Sequence, residues 1–279
     1  SGLEELLADH LLGPAGASLA QGLRRHDDDA ALADAVARDP LGLAVTRMSE
    51  TGTARVLRLT GACGMSPEPT RRSLKAEDYP FAAPLFLYTP ARRLPLLARE
   101  FLDFLSTPGA QIVVRRAGFT DQGREEIPLA AQGERLANAI AGAGPEVTLN
   151  ELQRMVALLR GAARLTTSFR FRGGATALDA QSAGNVAQLA RALDSGAFAG
   201  RELIFVGFSD GEGGAAANRK ISRRRAQEVR DAVRAAAVWA DPSRTAALSV
   251  EGFGEALPMA CDDSDWGRRV NRRVEVWLR

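Results

Sequence analysis

The chain has 279 residues, 46% hydrophobic and 25% charged, the balance of an ordinary globular protein with room for about two domains. A formal net charge of +2 is too small for a nucleic-acid footprint, and no stretch approaches the roughly 18 consecutive apolar residues of a membrane-spanning helix. All but two of the 36 basic residues are Arg. Guanidinium forks grip carboxylates at two points, so a carboxylate partner is one explanation, and a GC-rich genome is the other.

Leu3, Leu6, Leu7 and Leu11 predict an amphipathic helix at the start. The opening residues hold neither a basic leader nor an apolar signal core, as in a processed or truncated chain or a cytosolic protein. His26 with Asp27, Asp28 and Asp29 reads as a solvated turn in which one Asp caps a helix over 30–37. With His10 the only other histidine, no metal site is expected. Residues 41–45, 54–59 and 84–88 read as strands, separated by a Gly/Pro-rich loop from Gly61 to Pro69. A helix over 96–105 is stopped by Ser106-Thr107-Pro108-Gly109. Residues 123–163 turn polar and Ala-rich and read as a partly helical connector. Cys63 and Cys261 then belong to separately folding modules and are expected not to bond.

The last third is more regular. Phe169-Arg170-Phe171-Arg172 alternates like a strand with one wet face. Residues 183–193 have helical periodicity, and Leu203-Ile204-Phe205-Val206 is the apolar run of a central strand buried on both faces. A long helix follows over 216–237, then a strand at 248–250, and the chain closes on an inside-out alternation over 273–279. This order predicts an α/β (α+β) chain whose rear domain packs helices on one face of a mixed four-stranded sheet.

The segment joining the apolar strand to the long helix carries the chemistry. Gly211-Glu212-Gly213-Gly214-Ala215-Ala216 formally fits a dinucleotide fingerprint. However, Asp210 and Glu212 would repel a pyrophosphate, and the expected downstream acid, Asp231, still lies in the helix. On the long helix Ala226, Val229, Val233 and Ala236 form the apolar stripe, and Arg223, Gln227, Arg230 and Arg234 the wet face. Arg225 falls at the edge of the packed face, where a guanidinium needs a fixed anionic partner. Asp210 could be that partner in an internal salt bridge. Alternatively, Asp210 and Arg225 could grip the ammonium and carboxylate of a zwitterion. Spacing alone leaves both open. Asp262-Asp263-Ser264-Asp265-Trp266-Gly267 fails as a calcium loop, because Trp266 falls where an oxygen should stand and no Glu closes it.

Gly207-Phe208-Ser209-Asp210, Asn218 and Ile221-Ser222-Arg223-Arg224-Arg225-Ala226 resemble the G-H-T-D … N … L-S-x-x-R-A pattern of OmpA-like peptidoglycan-binding domains. Gly252-Phe253-Gly254-Glu255-Ala256-Leu257-Pro258 and Gly267-Arg268-Arg269-Val270-Asn271-Arg272-Arg273-Val274-Glu275 resemble the downstream blocks of that family, so the resemblance spans 164–279. Phe208 replaces the usual His, Ser209 a Thr, and Asp262 a common Asn. The resemblance implies that Asp210 and Arg225 hold the diaminopimelate of a peptidoglycan stem peptide. It also implies that Asn218, Ser222, Arg272 and the Gly207-Phe208-Ser209 turn line the same pocket.

A second resemblance covers 1–122. Val36-Ala37-Arg38-Asp39-Pro40-Leu41-Gly42-Leu43-Ala44, the Tyr79–Tyr88 stretch and Phe101–Phe119 are similar to the rear lobe of phosphate-type periplasmic substrate-binding proteins. Ser1-Gly2 would open that family's anion motif, with Leu3 replacing its Thr, and the front lobe is absent. Together the two resemblances imply a non-enzymatic envelope protein of the periplasm or outer membrane: residues 1–122 a partial solute-binding-like module for a small anion, 123–163 a connector, and 164–279 a peptidoglycan-binding domain. No cofactor, metal or nucleic-acid partner is implied. Other readings are an adaptor with an inactive pocket and a nucleotide-binding enzyme.

Overall fold

The computed structural model describes residues 2–13, 15–60, 63, 65–172, 177–239 and 245–279. Ser1 of the anion motif and Gly61, Ala62 and Gly64 of the Gly/Pro loop lie outside the described residues. The chain divides into two compact units, the first of residues 1–59 and 67–123, the second of 60–66 and 124–279.

The first unit contains α1 (Gly2–Leu7), which runs into a π-helical turn at Ala8–Leu12, then α2 (Asp29–Arg38), α3 (Arg71–Lys75), α4 (Leu96–Leu105) and α5 (Pro108–Arg116). Asp28 caps α2 by accepting from the Ala31 amide at 2.7 Å. Thr107 ends α4 and caps α5, with Pro108 at its first turn. The buried Lys75 ammonium ties α3 to the segment after α5, donating to Asp121 at 2.9 Å and to the Gly123 carbonyl at 2.8 Å. The strands expected at 41–45, 54–59 and 84–88 do not form: these segments have no ladder partner among the described residues. β-propensity alone cannot make a strand when no second strand satisfies its backbone groups. Their apolar side chains stay exposed, Leu41 at 94%, Leu85 at 80% and Tyr88 at 89%.

The second unit is built on one sheet of β1 (Glu126–Pro128), β2 (Ala163–Arg170), β3 (Glu202–Gly207), β4 (Ala247–Gly252) and β5 (Arg273–Leu278). Their order is β1-β2-β5-β3-β4. All neighbours are antiparallel except β3 and β4, which are parallel. The helices are α6 (Gly133–Ala141), α7 (Leu149–Leu159), α8 (Ala180–Asp194), α9 (Ala215–Ala236) and α10 (Asp265–Asn271). The long crossover helix α9 lets β3 and β4 run parallel.

Two expectations are corrected here. The sheet has five strands rather than four, because Glu126–Pro128 adds an edge beside β2. Helices cover both faces rather than one. On one face Leu189 and Leu193 of α8 and Val229 and Val233 of α9 pack on Phe169, Leu203, Phe205, Val274 and Val276. On the other, Leu152, Met155 and Leu159 of α7 with Ala139 of α6 cover Ile204, Val206, Phe208 and Trp277. The residues read as a connector therefore supply the second cover. The closing strand, read as half wet, is buried at every position. Its polar members Arg273 and Glu275 enter a buried cluster, in which Arg135 of α6 donates to Glu275 at 2.6 Å and Arg273 does so at 2.9 Å.

Cys63 and Cys261 form a disulfide, with Cα atoms 5.6 Å apart. The expectation that they stay apart fails because residues 60–66 fold with the second unit, not with the chain on either side of them.

Candidate functional site

The site forms where β3 ends. Two glycines let α9 lie flush against the sheet at this end. A Cβ on Gly207 would overlap the Ser222 carbonyl, and one on Gly252 would come within 2.5 Å of the Arg223 amide. Ser222 is fully buried. Its hydroxyl donates to the Arg219 carbonyl at 3.0 Å and accepts from the Gly254 amide at 3.1 Å, tying α9 to the turn after β4. Beyond the ladder, the Ser209 amide donates to the Gly254 carbonyl at 2.8 Å, which extends the contact between the two strand ends.

These bonds place Asp210 and Arg225 in one buried neighbourhood, 8% and 3% exposed. The carboxylate of Asp210 is held by a hydrogen bond from Arg272. Arg225 is not within ion-pair distance of it, so the direct internal salt bridge does not form among the described residues. The Arg225 guanidinium instead lies 5.5 Å over the Phe171 ring. Its Nε is buried with no hydrogen-bond partner, as is the Ser209 hydroxyl beside Asp210. Burial, then the positive charge of Arg272, pulls the Arg225 pKa below its ordinary value, and the Asp210 charge only partly opposes this. The guanidiniums of Arg225 and Arg272 share this neighbourhood with the Asp210 carboxylate, with Glu228 acting more weakly on Arg225, so Arg225 has room for an incoming anion.

A ring of acids surrounds the other side of the turn. Asp262 accepts from the Gly211 amide at 2.7 Å. A Cβ on Gly211 would meet the carboxylates of Glu255 and Asp262 at 2.6 and 2.8 Å. Burial, then the charges of Asp262, Glu146 and Asp210, raises the Glu255 pKa above its ordinary value. Glu146, from the turn between α6 and α7, accepts from the Ala215 amide at 2.7 Å. It thereby caps α9, whose N-cap Gly214 offers no side chain.

Of the residues named from sequence, Gly207, Ser209, Asp210, Asn218, Ser222, Arg225 and Arg272 gather around this turn. Asn218 is 4% exposed and donates to the Gly213 carbonyl at 3.3 Å. Phe208 does not face the site. It points to the opposite core, stacked 6.5 Å from Phe253 with the Arg273 guanidinium 4.4 Å above its ring. An apolar ring at that position is a packing choice.

Sequence reasoning missed Asn271. Its side chain accepts from the amides of Met259 and Ala260 at 2.7 and 3.1 Å and donates to the Ala260 carbonyl and to Asp262, each at 2.8 Å. It thus holds the loop that carries Asp262. Asn271 and Glu255 lay inside recognised motif blocks, but Glu146 had no signal, since only the fold brings the α6–α7 turn to α9. Among the described residues no group of three or more His, Cys, Asp or Glu could hold a metal ion. No described helix is long and apolar enough to cross a membrane.

The OmpA family matches residues 170–272. "Outer membrane protein A" of Bordetella avium is 38% identical over 91 residues, covering 33% of this chain and 42% of that protein. The chain therefore matches less than half the length of that relative. Among solved structures, the peptidoglycan-associated lipoprotein from Burkholderia pseudomallei is similar at 22% identity. That match covers 40% of this chain and 89% of that one, with a TM-score of 0.34. The cell wall anchor of the T6SS from Pseudomonas aeruginosa is similar at 26% identity over 42% of this chain and 80% of that one, TM-score 0.32. The family match at residues 170–272 lies in the second unit, so the C-terminal region of this chain is an OmpA-like domain.

Proposed function

We propose that the second unit binds peptidoglycan non-covalently through the zwitterionic free end of a diaminopimelate stem peptide, and that the protein is a non-enzymatic anchor in the cell envelope. The observation that carries this reading is the buried Arg225, whose Nε lacks a partner beside an Asp210 already engaged by Arg272. One ligand carboxylate would satisfy Arg225, and a ligand ammonium would share Asp210. Asn218, Ser222, Gly207 and Ser209 shape the turn, Arg272 steadies Asp210, and Phe208 supports the strand end from the core side. The OmpA-like match and the peptidoglycan-associated and cell-wall-anchoring names of similar proteins support the same ligand. The Cys63–Cys261 disulfide suits an oxidising compartment such as the periplasm. In the same reading residues 1–122 are part of a solute-binding-like module for a small anion, which rests on sequence resemblance. Of the segment 123–163 read as its connector, residues 124–163 fold with the domain at 164–279.

Charge-assisted contacts contribute about 1.5–3 kcal/mol each, so losing either should weaken binding roughly ten- to a hundredfold. Asp210→Ala and Arg225→Ala in the full chain should abolish co-sedimentation with diaminopimelate-type sacculi, and the isosteric Asp210→Asn should do so with little change in thermal midpoint. If all three sediment like wild type, the pocket assignment is wrong. If binding is lost only in variants that unfold early, and Asp210→Asn still binds, the charges serve folding alone.

A further inference from the structure

Arg225 is buried, and among the described residues its guanidinium makes no hydrogen bond and no ion pair. Two carboxylates, Asp210 and Glu228, attract it without pairing with it, and Arg272 repels it. Glu228 is engaged by Arg224 at 3.1 Å, and Asp210 by Arg272. A buried cation beside a carboxylate gains by closing an internal pair with it, yet this one does not. The contact it makes instead is with the face of Phe171, whose ring centroid lies 5.5 Å from the guanidinium carbon. A ring face attracts a cation through its quadrupole. It does so without taking up the N–H donors as a carboxylate oxygen does.

Phe171 is itself fixed. It follows β2 and pairs with Leu178 in an isolated antiparallel bridge. The next amide, that of Arg172, donates to the Ala177 carbonyl at 2.9 Å. The ring is buried in the same core cluster as Ala226 and Val229, the apolar residues that follow Arg225 on α9. Helix and ring are thus held by one packed core, and the guanidinium rests on a platform that cannot follow it elsewhere.

We propose that Phe171 is a positioning residue of the ligand site: its ring holds Arg225 out of a pair with Asp210 and keeps the guanidinium open to the ligand carboxylate. The inference rests on the reading of Asp210 and Arg225 given above and names what stops that site from closing on itself. Phe171 acts through Arg225 alone. Without its negative face, Arg225 turns to Asp210, and a zwitterionic ligand must first break that internal pair.

Calorimetry of the full chain with a soluble L-Ala-γ-D-Glu-diaminopimelate peptide tests this. Phe171→pentafluorophenylalanine keeps the shape of the ring and reverses the charge of its face. It should weaken binding about tenfold, and the difluoro analogue by less, with thermal midpoints near that of wild type. Phe171→Met, which has no ring, should weaken binding like the pentafluoro variant. In an Arg225→Gln chain none of these changes should alter the residual affinity by as much as twofold. The role of Phe171 is overturned if the fluorinated variants bind like wild type, even where Phe171→Met does not, because ring volume then matters and ring charge does not. It is also overturned if the weakening persists in the Arg225→Gln chain. Should Arg225→Gln alone bind the peptide like wild type, the primary reading fails. Should Arg225→Gln weaken binding while fluorination does not, that reading stands and only the part given to Phe171 is lost.

Discussion

Asn271 is 1% exposed, and its one side chain closes four hydrogen bonds across the loop that carries Asp262. Removing it strands the backbone donors of Met259 and Ala260. A buried donor or acceptor left unpaired costs about 1–3 kcal/mol. Asn271→Ala should therefore lower unfolding stability by at least about 2 kcal/mol in urea titrations, and Asn271→Asp, which keeps the two acceptor contacts but sets a carboxylate against Asp262 and the Ala260 carbonyl, should also be destabilising at neutral pH. Equal stability of Asn271→Ala and wild type would show that the loop is held by other bonds. Peptidoglycan binding should fall with Asn271→Ala even where the protein stays folded, because Asp262 no longer fixes the Gly211 amide beside Asp210.

Helices α6 and α7 belong to the second unit and cover the sheet face that carries Ile204, Val206, Phe208 and Trp277. Uncovering those four side chains forfeits about 1.5–3 kcal/mol each, comparable with the whole stability of a domain, about 5–15 kcal/mol. A chain begun at residue 164, where the motif resemblance starts, should unfold without a cooperative transition and bind a hydrophobic dye. A chain begun at 124, compared in the same reducing buffer, should unfold cooperatively. Matching melting curves for the two would mean that the α6–α7 cover is dispensable.

Across the second unit, Glu275 is a fully buried carboxylate whose charge is tied to folding, alongside the more exposed Glu202, whose pKa is also lowered. Burial alone would raise the Glu275 pKa, but the guanidiniums of Arg135, Arg164 and Arg273 overcome it and hold the carboxyl well below its ordinary range. A carboxyl depressed in the folded state contributes stability that is complete above its unfolded pKa and fades as pH falls toward its folded one. The thermal midpoint of wild type should thus fall steadily as pH is lowered beneath the usual carboxylate range. Glu275→Gln leaves three buried guanidiniums without their anion and should cost about 3–5 kcal/mol at neutral pH. Its midpoint should then depend less on acid than that of wild type. A parallel pH profile for the two proteins would assign the acid sensitivity elsewhere.

Several features were legible in the residues themselves, because they rest on local periodicity and ordered motifs. They include the long helix α9, the central strand β3, a cap from one of the three aspartates at 27–29, the Asp210 turn and Arg225 as a cation at the edge of the packed face. Other features depended on what each segment found to pack against. Residues 41–45, 54–59 and 84–88 have strand-like composition but pair with no strand, while Glu126–Pro128, with weaker propensity, became an edge because β2 lay beside it. The alternation of 273–279 implied a wet face, yet α6 and α7 buried it and converted Arg273 and Glu275 into an internal ion cluster. The partner of Asp210 proved to be Arg272, and Cys63 met Cys261 across 198 residues. Sequence spacing determines which groups share a helix face or a strand end. Which of them meet across long separations is decided only when the second unit closes both faces of its sheet.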